Sequence, residues 1–168
     1  VAALLALQGC AGTSLPPAPE APASAAPPPP PAPVSAPPPV RSATIAVERQ
    51  WLQSWFQGTP VRIEQRSESS FSVEVPREFC FDAGRAEVKP ALGAVLDKVA
   101  QSLQRKPALQ VPWLAAPGDA SGTAALAQQR AGNVRKHLLS RGVSSERLGA
   151  PSVSQVAAVQ LRIGIAAP

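Results

Sequence analysis

Apolar and polar positions change period several times along this chain, and each change predicts a different element. In TIAVERQWLQSWFQ (44–57), Ile45, Trp51, Leu52, Trp55 and Phe56 fall at spacings compatible with one helical face, and Gly58-Thr59-Pro60 stops the pattern. A short amphipathic helix is predicted within 44–60. VRIEQ from Val61 and FSVEV from Phe71 alternate apolar and polar residues around a polar RSESS connection, which predicts a β-hairpin. The run continues, strand-like, through Pro76 to Phe79-Cys80-Phe81-Asp82. Pro90 stands at a first helical position, and Leu92, Val95, Leu96, Val99 and Leu103 form one stripe until Pro107 forbids continuation. ALQVPWLA (108–115) predicts a short strand whose Pro112 requires an edge position or a bulge. A second helix is predicted from about Thr123 to Ser140, with Leu126, Arg130, Ala131, Val134 and Leu138 on one side and Arg141-Gly142 at its end. VAAVQLRIGI (156–165) closes the sheet. The order β-β-α-β-α-β predicts an α+β domain over 61–168, with helices packed on one face of a small mixed sheet.

Before residue 44 this patterning is absent. The chain has 21 prolines in 168 residues, more than half of them before residue 40, with PPPPP at 27–31 and PPP at 37–39. Residues 10–43 are therefore expected to be a disordered Pro/Ala-rich linker that favours polyproline II. At ~3.1 Å per residue such a tether reaches up to about 90 Å, although a linker of no required length fits the composition equally well. Residues 44–168 remain long enough to bury a core without disulfides or metals. Residues 1–9, VAALLALQG, are too short an apolar run to span a bilayer and read as the end of a signal peptide. Leu7-Gln8-Gly9-Cys10 resembles a lipobox, which implies cleavage before Cys10 and acylation of that residue. The other reading is a cleaved secretory signal with an incidental cysteine. Several buried acyl chains anchor a protein stably at about 0.8 kcal/mol per methylene. Ala11, in place of an inner-membrane-retaining Asp, points to the outer membrane.

The net charge of +5 invites a nucleic-acid reading. Lys and Arg are, however, scattered and interrupted by acids, there is no Tyr, and no nucleic-acid motif is present, so no nucleic-acid partner is expected. The charge suits an anionic surface such as a cell wall or lipid headgroups. Cys10 and Cys80 lie in unrelated surroundings and predict no mutual disulfide. Cys80, flanked by Phe79 and Phe81, reads as a small buried apolar residue. The one nucleophile and base combination, Cys80 with the single histidine His137, is weak because the thiol sits in an apolar run and the imidazole in a basic helix. The chain reads as a non-enzyme without cofactor, metal-ligand spacing or phosphate loop. Trp51 and Trp55 read as packing residues or partner contacts.

FCFDAGRAEVKPALGAVLDKVAQSL resembles the opening of OmpA-like domains, where an F-x-F-D strand turns into K-P and an amphipathic helix. The Asp119-Ala120-Ser121-Gly122 turn and LAQQRAGNVRKHLLSRGVSSERL (126–148) are similar to the family's D-x-x-G and L-S-x-x-R-A-x-x-V-x-x-x-L signature, closed by G-V-x-x-x-R-L. The resemblance spans about 61–163. It implies binding of peptidoglycan, with Asp119 and Arg130 holding the zwitterionic end of diaminopimelate in the stem peptide. A carboxylate suits the ammonium, and a guanidinium can grip the carboxylate through two parallel hydrogen bonds. Backbone N–H groups around Gly122 and Thr123 would add donors. Together with the anchor, this implies an outer-membrane lipoprotein that tethers the envelope to the cell wall.

The sequence also departs from the family pattern. About four residues are missing between Gly122 and Leu126, Thr123 replaces Asn, and Ala127 replaces Ser. Ala116-Pro117-Gly118 stands for G-H-T, and Ala157-Ala158-Val159-Gln160-Leu161 for N-R-R-V-E. These losses keep open a second reading, a degenerate domain serving as a protein-interaction or scaffold module among envelope proteins. In that reading Asp119 only shapes a turn or caps the helix, and Arg130 pairs with it on the surface.

Overall fold

A computed structural model of the chain describes residues 40–119 and 124–165. The apolar run at 1–9, Cys10, the linker as far as residue 39, and Gly122 and Thr123 lie outside the described residues. The first helix, α1 (Val40–Trp55), begins directly after Pro39, inside the stretch expected to be linker. Once the prolines end, nothing in Val40–Ala43 opposes a helix, whose first-turn N–H groups have no intrahelical acceptor in any case. α1 buries Ile45, Glu48 and Leu52 and leaves Trp55 exposed. The buried Glu48 was not foreseen. It accepts hydrogen bonds from Ser102 Oγ and Arg105 Nη2, both at 2.7 Å, which fasten α1 to the second long helix.

The hairpin forms as expected from β1 (Arg62–Ser67) and β2 (Ser70–Pro76). The following residues are not strand: Arg77–Cys80 make one helical turn, α2. Phe81 N–H closes that turn onto Arg77 O at 3.1 Å, and the Cys80 thiol donates to Val75 O and Pro76 O at 3.3 and 3.2 Å. Apolar flanks misled the alternation reading here, because a tight turn buries Cys80 as well as a strand would.

α3 (Pro90–Arg105) starts with proline inside its first turn and buries the expected stripe. β3 (Leu109–Ala116) is an interior strand of the sheet order β1-β2-β5-β3-β4, so Pro112 occupies an irregularity in the β3–β5 register rather than an edge. The chain crosses this irregularity closely. Gly149 N–H donates to Val111 O at 2.8 Å, and a Cβ on Gly149 would stand 2.1 Å from Pro112 O, so only glycine fits. α4 (Ala124–Ser140) buries Ala127, Arg130, Ala131, Val134 and Leu138. The short β4 (Pro151–Val153), too brief to show a period, pairs parallel with β3, and β5 (Ala158–Ile165) pairs antiparallel with both β2 and β3.

The result is an α+β fold with an open, mixed five-stranded sheet. Phe71, Val73 and Val75 of β2 and Val159, Leu161 and Ile163 of β5 are buried under the helices, in the face that alternation predicts. Because β5 runs against β2 and β3, the C-terminal ends of β2, β3 and β4 and the start of β5 meet at one end of the sheet. Among the described residues no helix is long and apolar enough to cross a membrane.

Candidate functional site

Asp119 and Arg130 are brought together at that end of the sheet. β3 runs out through Pro117-Gly118 to Asp119, and α4 carries Arg130 on its buried face. Arg130 Nη1 donates to Asp119 Oδ1 at 2.8 Å. The rest of the guanidinium binds backbone: Nε to Arg85 O at 2.7 Å, Nη1 to Pro117 O at 3.0 Å and Nη2 to Asp82 O at 3.0 Å. The group also lies 4.8 Å from the centre of the Phe81 ring. Its side chain has 0% exposure, and these bonds occupy four of the five donors of a guanidinium. A two-pronged grip by Arg130 on a ligand carboxylate therefore does not fit this geometry, and neither does a surface pair. Burying a guanidinium requires such saturation, and Arg130 achieves it by tying the loop after α2 and the end of β3 to α4. One turn along, Asn133 Nδ2 donates to Ala86 O at 2.8 Å and extends the same seam.

Asp119 remains partly open, with its side chain 20% exposed. Its Oδ2 accepts the Gly84 N–H at 2.7 Å. Gly84 sits at φ +70° in the turn closed by Arg85 N–H on Asp82 O, a conformation that glycine adopts without cost. The Gly84 N–H and then Arg130 hold the Asp119 carboxyl below the usual carboxylate range. The group is thus a fixed anion at neutral pH.

Beside it opens a cleft of about 470 Å³, with Arg77, Pro117, Gly118, Asp119, Gln155 and Ala157 among its lining residues. Ala124, at the start of α4, lines the same cleft, while residues 120–123, which precede it, lie outside the described residues. Sequence reading missed Gly84, Asn133 and Arg77. The Asp-Ala-Gly turn was a usable signal for Gly84; Asn133 falls at an unspecified position of the helix signature, and Arg77 lies outside the quoted motifs. Cys80 is fully buried, and burial pushes its thiol up to about 12, the setting of an inert rather than a nucleophilic sulfur. His137 is bonded to Asp97 at 2.7 Å. Among the described residues no three His, Cys, Asp or Glu side chains are grouped to hold a metal ion.

An open mixed sheet with helices on one face, carrying an acid and a buried arginine where the strands end, defines the class as a small α+β domain with a polar cleft at one end of its sheet. Residues 80–160 match the model of the OmpA family. Solved structures share the fold. A MotB-like protein from Desulfovibrio vulgaris superposes with a TM-score of 0.60 at 16% identity, over 77% of this chain and 98% of that one. The periplasmic domain of MotB from Helicobacter pylori gives 0.55 at 16% identity, over 69% and 85%. The cell wall anchor of the T6SS from Pseudomonas aeruginosa gives 0.51 at 15% identity, over 77% and 99%. At these identities the likeness is one of fold. No curated protein sequence matches the chain.

Proposed function

We propose that this protein binds peptidoglycan non-covalently, taking the zwitterionic end of diaminopimelate in the stem peptide at the cleft beside Asp119. The observation that carries this reading is the Asp119 carboxylate, ionised and immobilised by the Gly84 N–H and Arg130 yet open to a cleft, in a region that matches the OmpA family. Asp119 receives the ligand ammonium, Arg130 fixes Asp119 and the loops that frame it, and Gly122 and Thr123, outside the described residues, are proposed to add backbone donors for the ligand's anionic group. A structural relative described as a cell wall anchor supports the same direction. Lipidation at Cys10 and a Pro-rich tether would hold the domain on the periplasmic face of the outer membrane and link that membrane to the wall.

Sedimentation with purified sacculi tests the binding. The 168-residue chain is expected to pellet with diaminopimelate-type sacculi, free diaminopimelate to release it, and Asp119→Ala to lower affinity by about ten- to a hundredfold. Undiminished pelleting of Asp119→Ala would remove the site. For the anchor, Cys10→Ala in the secreted precursor is expected to abolish acyl labelling and membrane retention, and unchanged labelling would exclude it.

The scaffold reading has its own observation. Trp55 and Phe79, 52% and 40% exposed, border an apolar groove of about 330 Å³ with Phe56 and Val95. Failure of the wild-type chain to bind sacculi would move protein contact through that groove into first place.

A further inference from the structure

Arg77 is the guanidinium that faces the cleft. It starts α2 where β2 ends, and its backbone N–H donates to Ala157 O at 2.9 Å, which fixes the residue against the start of β5. Its side chain is 35% exposed. Nη1 donates to Gly118 O at 3.3 Å and lies 3.7 Å from Asp119 Oδ1. Nε and Nη2 make no hydrogen bond to any described residue. Arg130, by contrast, has zero exposure and a single donor left.

We infer that Arg77 is the carboxylate-binding and specificity-determining residue of the cleft, while Arg130 acts as a positioning residue for Asp119. The inference rests on the stem-peptide reading above and deepens it. A ligand head bearing both an ammonium and a carboxylate needs an acceptor and a planar two-donor edge side by side. Asp119 supplies the acceptor, and the Nε and Nη2 edge of Arg77 supplies the donors across the same cavity. The contact of Nη1 with Gly118 O and its approach to Asp119 keep the guanidinium in the cleft without occupying that edge. The neighbouring wall carries Val156 and Ala157, which have no side-chain donor or acceptor, beside Ser154, whose hydroxyl is engaged with Val156 O, and Gln155. A ligand with an ammonium and no carboxylate would engage Asp119 alone.

The test compares two soluble tripeptides, L-Ala-γ-D-Glu-meso-diaminopimelate and the same peptide with L-Lys in third place, which keeps the distal ammonium and lacks its carboxylate. Calorimetric titration of the 168-residue chain is expected to favour the diaminopimelate peptide by roughly ten- to a hundredfold. In Arg77→Gln that ratio falls toward one, and in Arg77→Lys, which keeps the charge but loses the planar edge, it is intermediate. A wild-type ratio near one overturns the inference. So does a ratio that both Arg77 variants preserve, which would leave the carboxylate to Arg130 or to residues 120–123 while the stem-peptide reading stands. Binding of neither peptide by wild type removes that reading and the inference with it.

Discussion

The two ends of α4 are built from the same residue types and do opposite things. At its C-terminal end the chain closes with Gly142 N–H on Leu139 O at 2.9 Å and Val143 N–H on Leu138 O at 3.2 Å, a paired cap that satisfies the last carbonyls. Beyond it, Arg147 binds the carbonyls of Leu103, Lys106 and Leu109, closing the end of α3 onto the start of β3. Asp97 there accepts from both Arg141 and His137. At the N-terminal end, Arg130 has four of its five donors bonded, but Asp119 is partly open and the Nε and Nη2 edge of Arg77, on a cleft, bonds no described residue. Saturated arginines hold loops together. An ordered charge with vacant hydrogen-bonding capacity is what a ligand can use.

The sharpest way to break this contrast is to remove the saturated member of the site. Arg130→Met strands the Pro117, Asp82 and Arg85 carbonyls and the Asp119 carboxylate, and is expected to cost about 3–5 kcal/mol in urea unfolding, a fold effect that precedes any loss of binding. A loss below about 1 kcal/mol would return Arg130 to the role of a surface contact. Gly149→Ala acts far from the cleft, at the crossing of Pro112. It is expected to cost about 1–3 kcal/mol, because the new methyl meets backbone that cannot step aside, and to leave sacculus binding intact.

The smallest effect concerns acid. Because Asp119 is held below the usual carboxylate range, its ion pair contributes stability that is complete above the unfolded value of about 3.9 and fades as pH falls through the lower folded value. Wild type and Asp119→Asn should therefore differ by a constant amount above about pH 5 and converge in stronger acid. Melting curves across that range would show the convergence or its absence.

The fold was legible wherever one period ran long enough. The Pro90–Arg105 stripe, the apolar positions Phe71, Val73 and Val75 of β2 and the C-terminal strand each repeat a single spacing, and burial follows it, whereas β1 alternates in sequence but stays largely exposed. Short elements were not. The helical turn at Arg77–Cys80 lies among aromatic neighbours that imitate a strand, and three-residue β4 exists only through its pairing with β3. In the site, Asp119 and Arg130 were legible because both sit in a spaced motif, and they meet at 2.8 Å. What spacing could not show was that α4 turns Arg130 wholly inward, or that the end of β2 delivers Arg77 to the same cleft across 41 residues of sequence. Burial and donor saturation are tertiary properties, set by what packs around a residue rather than by its neighbours in the chain.

The most direct measurement of the central claim is an amide chemical-shift titration of the 168-residue chain with a diaminopimelate stem peptide. Gly84 donates its N–H to Asp119 Oδ2, so an ammonium arriving at that carboxylate must perturb it. The account predicts saturable shifts at Gly84, Arg77 and Gly118, all lost in Asp119→Asn. Shifts centred on Trp55, Phe79 and Val95 with Gly84 unmoved would contradict it and place the contact surface at the apolar groove instead.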